Sequence, residues 1–377
     1  MGVVRFFLAL SVVLEHVGLG GEFYSVSGRV AVYFFFVISG FYMTLVLDTK
    51  YPPTAEGTKN FYIARYLRLY PAYIVTFLIV ILFYRPIGNI SNFAPFTQLY
   101  VYFVSFTMIG YDTLQWFSAD AASKTVSLAS TTKLGPGTPI TLDMLPYMRQ
   151  MWSIGIEIWF YLIAPFVLRG SRAIFITAVI AIAIYITICL NFDYYAPIRS
   201  RSLFGNLYMF LYGAIGYLFY KHFLGANLSK YVQSRQAIIV FSLITLCIVT
   251  FYIMFQLPIF HRLTTIVGST YLAIDIQVVG FALIVPFLFH ITKSWDLDRS
   301  IGELSYPLYV VHWPIALVVL KQFKDQALWP MTSVTLSIVC AIALHVFVER
   351  QTERARSHFT QKALKRTIAS ATQKDRC

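Results

Sequence analysis

Arg5 and His16 lie eleven positions apart in the first apolar stretch, RFFLALSVVLEHVG. On a helix that spacing is about three turns, so the two side chains share one face roughly 16 Å apart. One end of the stripe is cationic and the other can carry a proton. With Arg5 at a membrane surface, His16 falls near the middle of a hydrocarbon core about 30 Å thick. An ionisable group there is costly, which makes it a functional candidate by default.

Three further constellations could do chemistry. Arg65 and Arg68, in FYIARYLRLYPAY, stand at i and i+3 on one helical face just before Pro71. Two guanidiniums so placed suit capture of phosphate or pyrophosphate, although snorkelling anchors at a membrane edge have the same pattern. MWSIGIEIWFYLIAPF puts Ser153, Glu157 and Tyr161 on one stripe, with Glu157 deep enough that it must face the protein interior or water. LSYPLYVVHWP aligns Ser305, Tyr309 and His312; His312 reads equally as a satisfied core histidine. Ser39 and Gly40, in FFFVISGF, are small enough to admit a ligand or simply a neighbouring helix. Glu15 and Asp275 are candidates for pairing with these groups, although Glu15 points about 100° away from His16. The other histidines, His345 among them, fall near helix ends, in loops or in the tail, where direct chemistry is not expected.

The elements that must position these residues are membrane helices. The 377 residues are 58% hydrophobic and 12% charged, with a mean hydropathy of +0.66, far from the composition of soluble domains. Apolar runs predict ten spans: 5–20, 29–48, 61–84, 150–168, 172–190, 204–222, 237–256, 271–291, 304–321 and 330–348. The stretch 93–117 is apolar but broken by Pro95, Gln98, Ser105 and Thr107, and reads as interfacial or re-entrant. Ten spans put both termini and about two thirds of the 30 lysines and arginines on the cytoplasmic side. The membrane unit is then 1–349, with a Ser/Thr/Gly-rich outer connection over 85–149 expected to be flexible, followed by a basic tail over 350–377. The first run lacks a cleavage site and is expected to remain in place. Cysteines show no CxxC spacing, so no metal is expected. The net charge of +13 follows topology rather than a nucleic-acid patch.

These residues point to a bundle that brings a phosphate-bearing cytoplasmic donor to a proton-transfer group in the membrane. A proton-coupled transporter or sugar permease, with His16 and Glu157 as relay, is the alternative. The absence of an internal repeat and the arginine pair argue against it.

In the Arg5 to His16 spacing, FFFVISGF, the Arg65 and Arg68 pair, WSIGIEIWFYLIAP and SYPLYVVHWP, the chain resembles the membrane acyltransferase-three family of multi-span O-acyltransferases that modify bacterial surface polysaccharides. It departs from the family at Ala31, Tyr33 and Pro307 and in the closing FVERQTE, which lacks a proline. The resemblance implies an all-α polytopic bundle in a bacterial inner membrane. It further implies an acyl-coenzyme A donor, most often acetyl-coenzyme A, and a hydroxyl acceptor on a sugar, polysaccharide or lipid-linked saccharide. His16 would be the general base. Arg5, Arg65 and Arg68, with Ser39 and Gly40, would hold the coenzyme close to it. Glu157 would pair with His16 or bind sugar, and Tyr309 and His312 would stabilise the oxyanion.

Overall fold

The computed structural model describes residues 1–19, 26–84, 90–120, 123–128, 140–145, 148–192, 197–224, 270–323 and 328–354. The chain is a polytopic helical bundle, and among these residues eight helices are long and apolar enough to cross a membrane. Nine of the expected spans fall on helices, of which the first, Gly2–His16, has 15 residues and is not among those eight. They are α1 (Gly2–His16), α2 (Gly28–Thr49), α3 (Ala55–Tyr84), α5 (Trp152–Val167), α6 (Ser171–Asn191), α7 (Leu203–Phe219), α8 (Thr270–Thr292), α10 (Ser305–Phe323) and α11 (Trp329–Leu344). The expected span 237–256 and most of the basic tail lie outside the described residues. Two shorter helices, α4 (Pro95–Thr107) and α9 (Asp296–Glu303), lie among them.

The start of α1 is fixed by a carboxylate. Asp298 of α9 accepts from the backbone N–H of Gly2 at 2.7 Å and of Val3 at 3.0 Å, where the helix dipole favours an anion. The backbones press together here, since a Cβ on Gly2 would stand 1.6 Å from the carbonyl oxygen of Asp298. So anchored, α1 runs between α2 and α10 and ends at His16. Glu15, beside it, accepts from Gly28 N–H at 2.5 Å and so caps α2, pointing away from His16.

Helix α2 packs most closely on α7, and both lend glycines to the interface. A Cβ on Gly40 would stand 1.8 Å from the carbonyl oxygen of Phe210, and one on Gly213 would stand 1.9 Å from that of Val37. This close approach lets Phe210 stack on Phe36 and Phe160, with ring centroids 4.6 and 4.1 Å apart. Gly40→Ala is therefore expected to cost about 1–3 kcal/mol through overpacking, read as a lower unfolding midpoint in detergent. An unchanged midpoint would mean that the helices are not seated this tightly.

Helix α4 enters on Pro95 and is only 13 residues long, well short of the roughly 20 that a span needs. Its tip meets the middle of α3, where the Tyr73 hydroxyl donates to Ser105 O. The chain then turns back through Met108 and Gly110, both at positive φ. The returning turn, Tyr111–Trp116, docks on Gly155 of α5, and Trp159 Nε1 donates to the buried Asp112 at 3.1 Å. Within the connection expected to be flexible, 117–119, 126–128 and 140–141 form a small antiparallel sheet with the first strand in the centre.

Candidate active site

A cavity of about 620 Å³ penetrates the bundle from the end that carries α9, a size typical of small-molecule sites. Its mouth gathers Arg5, Lys50, Arg65, Arg68, Lys293 and Arg299. Arg65 and Arg68 come from one face of α3, and Arg5 is delivered by the anchored start of α1, within electrostatic reach of Arg68 and Glu157. Arg5 and Arg65 make no ion pair among the described residues, and Arg65 Nε has no hydrogen-bond partner among them. The Arg65 guanidinium lies over the Phe61 ring at 5.8 Å, with one nitrogen 3.8 Å from Met43 Sδ. These are soft supports that leave its donors open to an anion.

Farther in, the wall is polar and hydrogen-bonded within itself. Ser39 donates to Glu157 Oε1 at 2.7 Å, and the Tyr161 hydroxyl donates to the same oxygen. Ser153 and Tyr309 close the cavity. The Tyr309 hydroxyl donates to Gln150 O at 2.7 Å, so the 2.7 Å approach of the two hydroxyls has Ser153 as donor. Gln150 Nε2 also donates to Val310 O at 2.9 Å. That carbonyl is the one Pro314, inside α10, leaves without its helical partner.

Behind this floor stand the two histidines. The Tyr309 and His312 rings are 5.6 Å apart. His312 is fully buried, and its Nδ1 lies 2.7 Å from the carbonyl oxygen of Tyr309. A carbonyl only accepts, so this nitrogen carries the proton of the neutral ring. Nε2 of His312 is then an acceptor for His16 Nδ1 at 2.9 Å, with the ring planes within 5° of parallel. In neutral rings this chain fixes both tautomers and leaves the lone pair of His16 Nε2 free. His16 is exposed, rests against the edge of Trp313 and lies in the field of Arg149 and Arg201. It is not part of the cavity lining, which on this side ends at the Tyr309 and Ser153 pair.

A family model described as an acyltransferase domain matches residues 1–350. The chain belongs to the acyltransferase-3 family. No curated protein and no solved structure shows a significant match to it. The helices and the family together make it an integral, multi-pass membrane acyltransferase.

Of the residues singled out in the sequence, the acyltransferase places Arg5, Arg65, Arg68, Ser39, Glu157 and Tyr309 around the cavity, and pairs His16 with His312 beyond it. Glu157 meets Ser39 and Tyr161 rather than His16. Gly40 faces α7, one residue away from the lining Ser39. Asp275 is held by the hydroxyls of Tyr208 at 2.6 Å and Tyr185 at 3.0 Å, away from the histidines.

Two residues that helical periodicity does not single out support the mouth. Glu349 and His345 belong to a π-helical turn, His345–Glu349, that continues α11. Glu349 Oε1 lies 3.9 Å from Arg68 Nη1, while Oε2 is 3.1 Å from His345 Nδ1. The other side of His345 faces Glu303 at 3.6 Å. Single π turns recur at functional sites because they re-aim side chains. Their one signal in the sequence is the Glu-Arg pair in FVERQTE.

Proposed function

We propose that this membrane acyltransferase transfers an acetyl group from cytoplasmic acetyl-coenzyme A to a hydroxyl of a sugar, polysaccharide or lipid-linked saccharide, in a bacterial inner membrane. The reading is carried by one observation: a cavity whose mouth holds two guanidiniums, Arg5 and Arg65, with no acidic partner among the described residues ends at Tyr309, whose ring neighbours the histidine pair of His312 and His16. Phosphates of the coenzyme would be gripped by Arg5, Arg65 and Arg68, with the pantetheine arm running past Ser39 and Glu157 to the floor.

His16 Nε2 then takes the proton of the acceptor hydroxyl as its oxygen attacks the thioester carbonyl carbon. The carbonyl oxygen becomes an oxyanion, the carbon–sulfur bond breaks, and the proton passes to the leaving thiolate. Reacting atoms must come to about 3–3.5 Å, so Tyr309 has to swing aside. Its hydroxyl, released from Gln150 O, is then free to donate to the oxyanion, and His312 keeps His16 in the productive tautomer.

The test is to incubate purified protein in detergent with labelled acetyl-coenzyme A and measure binding, release of free coenzyme A and transfer of label to saccharide. Absence of saturable acetyl-coenzyme A binding would remove the donor from this account.

A further inference from the structure

On the His16 side lies a second cationic cluster that the acyl-donor cavity does not use. Arg149 Nη2 is 3.0 Å and Arg201 Nη1 is 4.0 Å from the same oxygen of Asp143. Asp143 is buried, whereas the two arginine side chains are 38% and 34% exposed. The two guanidiniums repel each other, and Arg29 adds to the repulsion on Arg201. Glu15, which caps α2, makes no ion pair with either arginine among the described residues. Among the described residues, one buried carboxylate is therefore shared by two guanidiniums.

The cluster is also rigidly held. The Arg201 guanidinium lies over Trp152 at 5.3 Å and donates to the buried Gln115. Arg149 immediately precedes Gln150, whose main chain and side chain clamp Tyr309 and Val310 of α10. Orientation in the membrane does not account for these arginines, because the charge bias places lysines and arginines on the other face. They stand within electrostatic reach of His16.

We propose that Arg149 and Arg201 form an anion subsite for the acceptor, so that the sugar offered to His16 carries an oxyanion group, a carboxylate or a phosphate. A partly exposed pair of guanidiniums held in fixed geometry gives directional donors for such a group, and an acidic sugar supplies a second anion to the two guanidiniums that share Asp143. The proposal rests on the acyl-transfer reading for its meaning, but its test is independent of catalysis.

The test is binding of glucuronate, glucose 1-phosphate and glucose to the purified full chain in detergent at fixed ionic strength, without acyl donor, in the wild type and in Arg149→Gln and Arg201→Gln. One or both anions are expected to bind at least about tenfold more tightly than glucose, and whichever does so identifies the group as carboxylate or phosphate. Each substitution is expected to abolish that preference while leaving acetyl-coenzyme A binding in the opposite cavity within about twofold of wild type, which reports an intact fold. Equal affinity for all three sugars, no saturable binding of either anion, or a preference that survives both substitutions would overturn the proposal. Loss of acetyl-coenzyme A binding in the wild type, with anion binding retained, would instead strike at the donor assignment.

Discussion

Replacing His16 by alanine is expected to lower kcat for acyl transfer by about 10²- to 10⁴-fold, the usual contribution of a positioned general base. In free energy this is about 3 to 5 kcal/mol of barrier. Acetyl-coenzyme A affinity should hardly change, because His16 is outside the cavity that carries Arg5, Arg65 and Arg68. The fold should tolerate the change as well: His16 is the exposed last residue of α1, and its removal frees one acceptor, His312 Nε2. His312→Gln offers a contrast. An amide oxygen can still accept from His16 Nδ1, so the expected loss in kcat is smaller than for His16→Ala, with the base retained but less well oriented. Turnover numbers and acetyl-coenzyme A affinities for the two variants distinguish base from support. Undiminished turnover in His16→Ala would take the imidazole out of the reaction.

The membrane architecture is readable because hydropathy and length alone determine which segments can span, and stripes at i and i+4 can be read within each helix. Ser153 with Glu157, or Tyr309 with His312, needs only helical periodicity. What periodicity does not provide is the neighbour. His16 meets His312 across 296 positions of sequence, and only packing of α1 on α10 brings them together. The position of His16 departs from expectation for a related reason. Helix α1 ends at His16, with Gly18 at positive φ just beyond it, and the imidazole is outside the lining of the cavity that carries Arg5, Arg65 and Arg68. Glu349 and His345 are not legible as a stripe because a π turn breaks the 100° step on which a stripe depends. Direction is legible for Glu15, which does point away from His16, but its role as cap to α2 depends on a chain reversal that hydropathy does not encode.

Removing Arg65 and Arg68 together is expected to weaken acetyl-coenzyme A binding by about 10²- to 10⁴-fold, at roughly 1.5–3 kcal/mol for each charge-assisted hydrogen bond to phosphate. The two will not contribute alike. Arg65 has an orphaned Nε and no acidic partner among the described residues, so Arg65→Ala removes a phosphate donor and little else. Arg68→Ala also deprives the buried Glu349 of its cation and exposes the π turn to an uncompensated charge, a stability cost that Arg68→Gln moderates. As the pair shares one helical face, the two effects should couple rather than add. Acetyl-pantetheine, which carries the thioester but not the nucleotide phosphates, separates binding from folding. Its affinity should be nearly the same in wild type and in Arg65→Ala, while acetyl-coenzyme A binds about 10- to 100-fold more weakly in the same variant. If both ligands weaken together, the arginines hold the bundle rather than the phosphates, and the donor would have to be gripped elsewhere along the cavity.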